Sequence, residues 1–138
     1  MEAKVTWNKG LHFTATTPDG MSLELESSPP PGEQKKGMSP MQLQAVATVG
    51  CTAMDVISIL EKMRLDVTGF EVNFNGERAT DHPKVFTDIE VEYVVYGRDL
   101  DPTKVEKAVN LSIERYCSVH AMLSKAVPMH HTIRIVEE

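Results

Sequence analysis

Two cysteines are the residues with the clearest chemical potential in this 138-residue chain, and they are its only thiols. Cys51 lies in the run ATVGCTAMDVISIL, whose apolar pattern favours a helix, and Cys117 lies in a second helical run, ERYCSVH. Gly50 directly precedes Cys51, although glycine inside a helix costs up to about 1 kcal/mol relative to alanine. The small side chains around Cys51 indicate that a neighbouring helix packs closely there, which would offset this cost.

The spacing of the thiols leaves three uses for them open. Buried free cysteines commonly act as inert, small apolar side chains. Two thiols on neighbouring helices could instead do redox chemistry, or they could bind a metal together with histidines. The metal alternative is the least favoured, because the chain has no C-x-x-C or H-x-x-x-H pair. Its candidate ligands are Cys51, Cys117, His120, His130 and His131.

Charged residues near the cysteines bear on how reactive the thiols can be. Asp55 follows Cys51 by four residues and shares its helix face, where a carboxylate disfavours a thiolate unless a cation intervenes. Arg115 is expected to be a surface charge, because it is two residues from Cys117 and so faces another direction. We expect both cysteines in the middle of their helices, where the helix dipole gives little activation.

The positions of apolar and turn-forming residues predict the elements that carry these side chains. Alternating residues predict strands, and the S-x-x-Q capping box of Ser39 and Gln42 starts a helix that runs to about Met63. Asp101-Pro102 starts a second helix, which should end before Pro128. The resulting order, βββ-α-ββ-α-β, predicts an α+β fold with mostly antiparallel sheets and two long central helices.

The first helix is apolar around most of its circumference. A helix of this kind must be buried on nearly all sides, so it should lie centrally in the fold or be covered by a second subunit. A homodimer is therefore one of two arrangements that would bury this helix.

Composition and charge restrict the partners of the chain. The net charge of −6 argues against binding to nucleic acid or to an anionic membrane. The N-terminus has no apolar signal-peptide core, and no apolar run approaches the roughly 20 residues that span a bilayer. We therefore expect a cytoplasmic protein with no cofactor, built as one domain over residues 1–138.

Two segments resemble the OsmC/Ohr family, namely SPMQLQAVATVGC (Ser39 to Cys51) and ERYCSVH (Glu114 to His120). The likeness is greatest to the uncharacterised bacterial OsmC-like branch. It implies an intertwined homodimer in which strands of residues 1–27 exchange onto the partner and residues 39–138 form the helix–strand core. It also implies thiol-dependent reduction of organic hydroperoxides, in which Cys51 attacks the peroxide and Cys117 resolves the product as a disulfide.

The resemblance further implies an external dithiol reductant, often a lipoyl group, and an apolar pocket at the dimer interface. A non-enzymatic member could use that pocket to bind a small hydrophobic ligand. The peroxidases of the family carry an arginine in the N-terminal strands and a glutamate just after the helix-starting proline. Here Met41 occupies the glutamate position and the first arginine is Arg64. The residues that could replace this arginine as the cation beside the thiol are Lys9, His12, Lys35 and Lys36.

Overall fold

The computed structural model describes all 138 residues and divides them into two compact units, residues 1–44 and 45–138. The first unit holds an antiparallel sheet in the order β1 (Lys4–Lys9), β2 (His12–Thr16) and β3 (Ser22–Glu26). Its apolar residues are cross-strand neighbours on one face, as period-two alternation requires. Val5 and Trp7 on that face are 57% and 64% exposed in the single chain.

Helix α1 (Pro40–Lys62) begins and ends close to the predicted residues. The capping box is confirmed, because the Ser39 N–H donates to Gln42 Oε1 at 2.9 Å and the Gln42 N–H donates to Ser39 Oγ at 3.3 Å. The expected burial on nearly all sides is not found within the chain. Only one stripe is fully buried, with members four residues apart: Thr48, Thr52, Val56 and Leu60.

The length and composition of α1 correct the expectation about apolar runs. The helix has 23 residues and an 18-residue window with a mean hydropathy of 1.6, which meets the length and composition of a membrane span. The core helix of a soluble protein meets the same test, and within this chain one stripe of α1 is buried.

The second unit contains a three-stranded sheet with β5 (Phe86–Arg98) in its centre. Strand β4 (Asp66–Arg78) pairs with β5 antiparallel, as predicted, through a hairpin that turns near Asp81–Pro83. Strand β6 (Met129–Glu137) pairs with β5 in parallel, which the expectation of antiparallel sheets did not include. Parallel neighbours need a long crossover connection, and the helices between β5 and β6 provide it.

The second helical region is broken, unlike the single long helix that was predicted. Helix α2 (Pro102–Leu111) is capped by Asp101, whose side chain accepts the Thr103 N–H. It continues into a π-helical turn (Ser112–Tyr116), and after one extended residue helix α3 (Ser118–Leu123) follows. That extended residue is Cys117, with φ −74° and ψ 102°, so the thiol lies at a break and not within a helix.

The core of the second unit forms where α1 and α2 pack on one face of β5. Ile89, Val91, Tyr93 and Val95 alternate along β5 and are buried, as the sequence predicts, whereas the burial of Val94 on the opposite face was not predicted. The predicted inward pair of β6, Ile133 and Ile135, packs against this core. Its fully buried members include Val56, Leu60, Ile89, Val91, Tyr93, Val95, Val105, Ala108 and Val109.

Candidate functional site: a paired-thiol cluster

The two cysteines lie side by side in the second unit. The Cys51 sulfur, the Cys117 sulfur and a carboxylate oxygen of Asp55 all lie within 4.8 Å of one another. Both thiols are free; Cys117 is 2% exposed and Cys51 is half-buried. Asp55 joins Cys51 because a spacing of four residues puts both on one side of α1. We call these three residues the thiol cluster.

A chain of buried hydroxyl groups leads from the core to the thiol cluster. The Ser112 hydroxyl donates to Asp55 Oδ2 at 3.1 Å, and the Thr52 hydroxyl lies 2.8 Å from Ser112 Oγ. The Tyr93 hydroxyl lies 2.7 Å from Thr52 Oγ1. A carboxylate only accepts hydrogen bonds, so the Ser112 proton is committed to Asp55, Thr52 donates to Ser112, and Tyr93 donates to Thr52.

Thr52, Ser112 and Tyr93 were not predicted from the sequence as residues of the site. In the structure they are 3%, 0% and 2% exposed. One signal was present for Thr52, because it lies four residues before Val56 and so on the apolar stripe of α1. A polar residue on such a stripe needs a buried partner. No sequence pattern pointed to Ser112, whose placement depends on the π-helical turn. Such turns occur frequently at functional sites.

The surroundings of Cys117 disfavour its ionised form. Burial raises the pKa of the Cys117 thiol to about 11, helped by a hydrogen bond with Cys51 and by the nearby charges of Cys51 and Asp55. The His120 backbone N–H, 3.4 Å from the sulfur, acts in the opposite direction. This hydrogen bond corrects the expectation that Cys117 is remote from a helix end, because Cys117 caps α3. Burial also lowers the pKa of His120, and His131 adds to that shift.

The Asp55 carboxylate of the thiol cluster forms no ion pair. No Lys, Arg or His nitrogen lies within 4.0 Å of the Asp55 carboxylate. Arg115 is exposed and lies over the Tyr116 ring, as expected of a surface charge. Three of the four substitute cations have partners within the first unit: His12 with Glu24 at 2.8 Å, Lys35 with Gln42 at 2.6 Å, and Lys36 with Glu33 at 2.9 Å.

The histidines do not share the site. His130 and His131 point to opposite faces of β6, as predicted. His130 Nε2 lies 2.9 Å from Asp88 Oδ1, and the His131 ring meets the Tyr93 ring edge-on at 6.2 Å. The only side chain that joins the two cysteines in the thiol cluster is therefore a carboxylate, in place of the histidines that the metal alternative named.

These features define a small α+β protein with two neighbouring thiols, a half-buried one carried by α1 and a buried one at the break after α2. The chain belongs to the OsmC-like protein family, whose model matches residues 32–132. It is 40% identical over 136 residues to Protein YhfA of Escherichia coli K12, covering 99% of this chain and 98% of that protein.

Solved structures share the fold over the whole chain. A hypothetical protein from Aquifex aeolicus is 29% identical, with a TM-score of 0.87 over 99% of this chain and 96% of that one. The organic hydroperoxide resistance protein OhrB of Bacillus subtilis is 23% identical, with a TM-score of 0.63 over 97% of this chain and 98% of that one. The predicted family and fold are thus confirmed, and membership of the family supports a soluble protein.

Proposed function

We propose that this protein reduces organic hydroperoxides with its two thiols, Cys51 attacking the peroxide and Cys117 resolving the product. The observation that supports this most directly is the approach of the two sulfurs to within 4.8 Å, from elements far apart in sequence. Membership of the OsmC-like family and the fold shared with OhrB agree with it.

The exposure of the two thiols supports this division of roles. Cys51 is half-buried, so a peroxide can reach it, whereas Cys117 is 2% exposed and its pKa is about 11. The Cys51 thiolate attacks one peroxide oxygen and breaks the O–O bond, which leaves a sulfenic acid and an alkoxide that takes a proton to become an alcohol. The Cys117 thiol then condenses with the sulfenic acid, which forms the disulfide and releases water.

The break at Cys117 suits a thiol that must move. A disulfide requires the sulfurs to approach to about 2.05 Å. Cys117 lies between two helical segments in an extended conformation, so its side chain is not held within a continuous helix. An external dithiol, such as a lipoyl group, restores both thiols by exchange and is itself oxidised to a disulfide.

We further propose that the working form is a homodimer in the cytoplasm. Val46 and Met54 are 46% and 74% exposed, and they lie four residues on either side of Gly50 on one face of α1. The occupant we assign to this face is a second copy of the chain, because the resemblance implies an intertwined dimer. Surface clefts of 130 to 360 Å³ lie on the single chain without either cysteine in their lining. An apolar substrate pocket would thus be completed by the partner.

The test is the stoichiometry of thiol loss. Cumene hydroperoxide should convert both thiols of the reduced protein into one intramolecular disulfide, identified by mass spectrometry. In Cys117→Ser, Cys51 should stop at a sulfenic acid that dimedone traps, whereas Cys51→Ser should give no such adduct and no peroxide loss. Survival of both wild-type thiols in excess peroxide would refute the proposal. Sedimentation of only monomer at micromolar concentration would refute the dimer.

A second candidate is a non-enzymatic protein that binds a small hydrophobic ligand at the dimer interface. The observation that favours it is the unpaired carboxylate of Asp55 beside the two thiols, because a nearby negative charge disfavours a thiolate. It predicts that a folded Cys51→Ser variant keeps the affinity of the wild type for an apolar fluorescent probe. Loss of that affinity would count against this candidate.

A further inference from the structure

The thiol cluster combines the ligand types of a thiophilic metal site. Thiolate sulfur and carboxylate oxygen are common ligands of zinc, and four-coordinate tetrahedral geometry is usual. Cys51, Cys117 and Asp55 come from two separate parts of the chain, yet their ligand atoms all lie within 4.8 Å of one another. They are shielded from bulk solvent, since Cys117 is buried and the other two residues are half-buried.

The upper limit of 4.8 Å between the ligand atoms is compatible with one zinc ion bound by both sulfurs. With Zn–S bonds of about 2.3 Å and tetrahedral angles, two sulfurs on one zinc are about 3.8 Å apart. The two sulfurs lie no more than 4.8 Å apart, so they would need to move closer by at most about 1 Å to bind one zinc ion. A disulfide would require them to approach to about 2.05 Å.

Hydrogen bonds already orient two of the three ligands. Asp55 Oδ2 accepts the Ser112 hydroxyl at 3.1 Å, which leaves Oδ1 to bind a ligand. Ser112 is itself fixed by Thr52, and both are buried. The Cys117 sulfur accepts the His120 backbone N–H at 3.4 Å. Partners of this kind are what orient ligands around metal ions, and their loss typically costs about 10- to 100-fold in affinity.

We propose that the reduced protein binds one zinc ion per chain through Cys51, Cys117 and Asp55, with solvent water as the fourth ligand. Zn²⁺ enters as two thiol protons leave, so two thiolates and one carboxylate around the ion carry a net charge of −1. This is the charge of two neutral thiols and one carboxylate. The site thus gains no net charge, and the ion supplies the positive partner that Asp55 lacks.

The inference goes beyond the proposed function and does not depend on it, because it concerns the reduced thiols in the absence of peroxide. The experiment titrates the reduced full chain anaerobically with Co²⁺, a spectroscopic substitute for zinc. We expect one Co²⁺ per chain, a sulfur-to-cobalt charge-transfer band, and loss of that band when Zn²⁺ displaces the cobalt. Cys51→Ser and Cys117→Ser should each lose roughly half of the band, since each removes one of two sulfur ligands.

Variants of Asp55 and of its hydrogen-bond donor Ser112 distinguish binding of Zn²⁺ at this site from weak binding elsewhere on the surface. Ser112→Ala should weaken Zn²⁺ binding by about 10- to 100-fold, and Asp55→Asn by at least as much. Glu61→Gln is the matched control, because Glu61 is an exposed acid on α1, and it should leave the dissociation constant unchanged. His130→Gln should also leave it unchanged.

The wild-type protein provides a test that does not depend on how the variants fold. Zn²⁺ should protect the half-buried Cys51 thiol from a thiol-specific reagent, and a chelator should restore its labelling. Equal labelling of Cys51 with and without Zn²⁺ would overturn the proposal, as would a cobalt band that keeps its full intensity in either cysteine variant. Failure of peroxide reduction in metal-free protein would bear only on the proposed function.

Discussion

Thr52→Val tests whether the buried hydroxyl chain supports the fold around the thiol cluster. Valine keeps the branched shape of threonine and removes only the hydroxyl. The Tyr93 hydroxyl, 2.7 Å from Thr52 Oγ1, then loses its hydrogen-bond partner inside the core, where Tyr93 is 2% exposed. Ser112 keeps a partner in Asp55.

The expected loss is that of one unsatisfied buried hydroxyl. Such a group costs about 1–3 kcal/mol, whereas removing both partners of a hydrogen bond can be nearly neutral. Tyr93→Phe in the Thr52→Val background should therefore cost much less than it does in the wild type. The two substitutions should couple by about 1–2 kcal/mol in a double-mutant cycle.

Urea unfolding of the reduced protein measures both quantities. With a slope of about 1–3 kcal/mol per molar urea, a loss of 2 kcal/mol lowers the midpoint by about 1 M. All variants are compared at one protein concentration, because dimerisation would make the midpoint depend on it. Thr132→Val makes the same chemical change at an exposed position of β6 and should stay within about 0.5 kcal/mol of the wild type. Additive effects of Thr52→Val and Tyr93→Phe would refute the hydroxyl chain.

Three further predictions follow from burial and charge. In the reduced native protein, alkylation of Cys117, followed by mass spectrometry, should accelerate with a midpoint near pH 11, and unfolding should lower this midpoint to about pH 9. Fast labelling of Cys117 at neutral pH would contradict this. The folded state lowers the pKa of His120, so the unfolded chain binds the proton first as the pH falls, and the free energy of unfolding should decrease below about pH 6.5. His120→Asn should flatten this dependence of the free energy of unfolding on pH. A Cβ at Gly50 would meet no atom of another element within 4 Å in the single chain, so Gly50→Ala should stabilise the helix. If the partner packs closely on Gly50, the same substitution should raise the dimer dissociation constant measured by sedimentation, and an unchanged constant would exclude close packing there.

The surroundings of Gly50 within the chain do not explain why glycine is tolerated beside Cys51. The expected close approach of another helix does not occur within this chain, because no atom lies within 4 Å of the added Cβ. The second cysteine approaches from another direction, through the break after α2. Close packing at Gly50 is therefore assigned to the proposed dimer, together with the exposed side chains of Val46 and Met54.

The sequence alone determined the features that depend on local periodicity and capping. The Ser39 and Gln42 capping box fixed the start of α1, and alternation of apolar and polar residues located β4 and β5. The two cysteines were visible as candidates because thiols are rare in this chain. Asp55 was visible as well, because a spacing of four residues on a helix determines its face.

Only the tertiary structure decided what those residues meet. The break at Cys117 arises where α2 continues into a π-helical turn, and no local pattern in ERYCSVH predicts that change. The hydroxyl chain joins residues 41 and 60 positions apart, Thr52 with Tyr93 and Thr52 with Ser112. Contacts across such separations depend on how β5 and the helices pack, and local propensity carries no information about that packing. The chemistry of the thiol cluster therefore depends on long-range contacts, although its cysteines could be identified from the sequence.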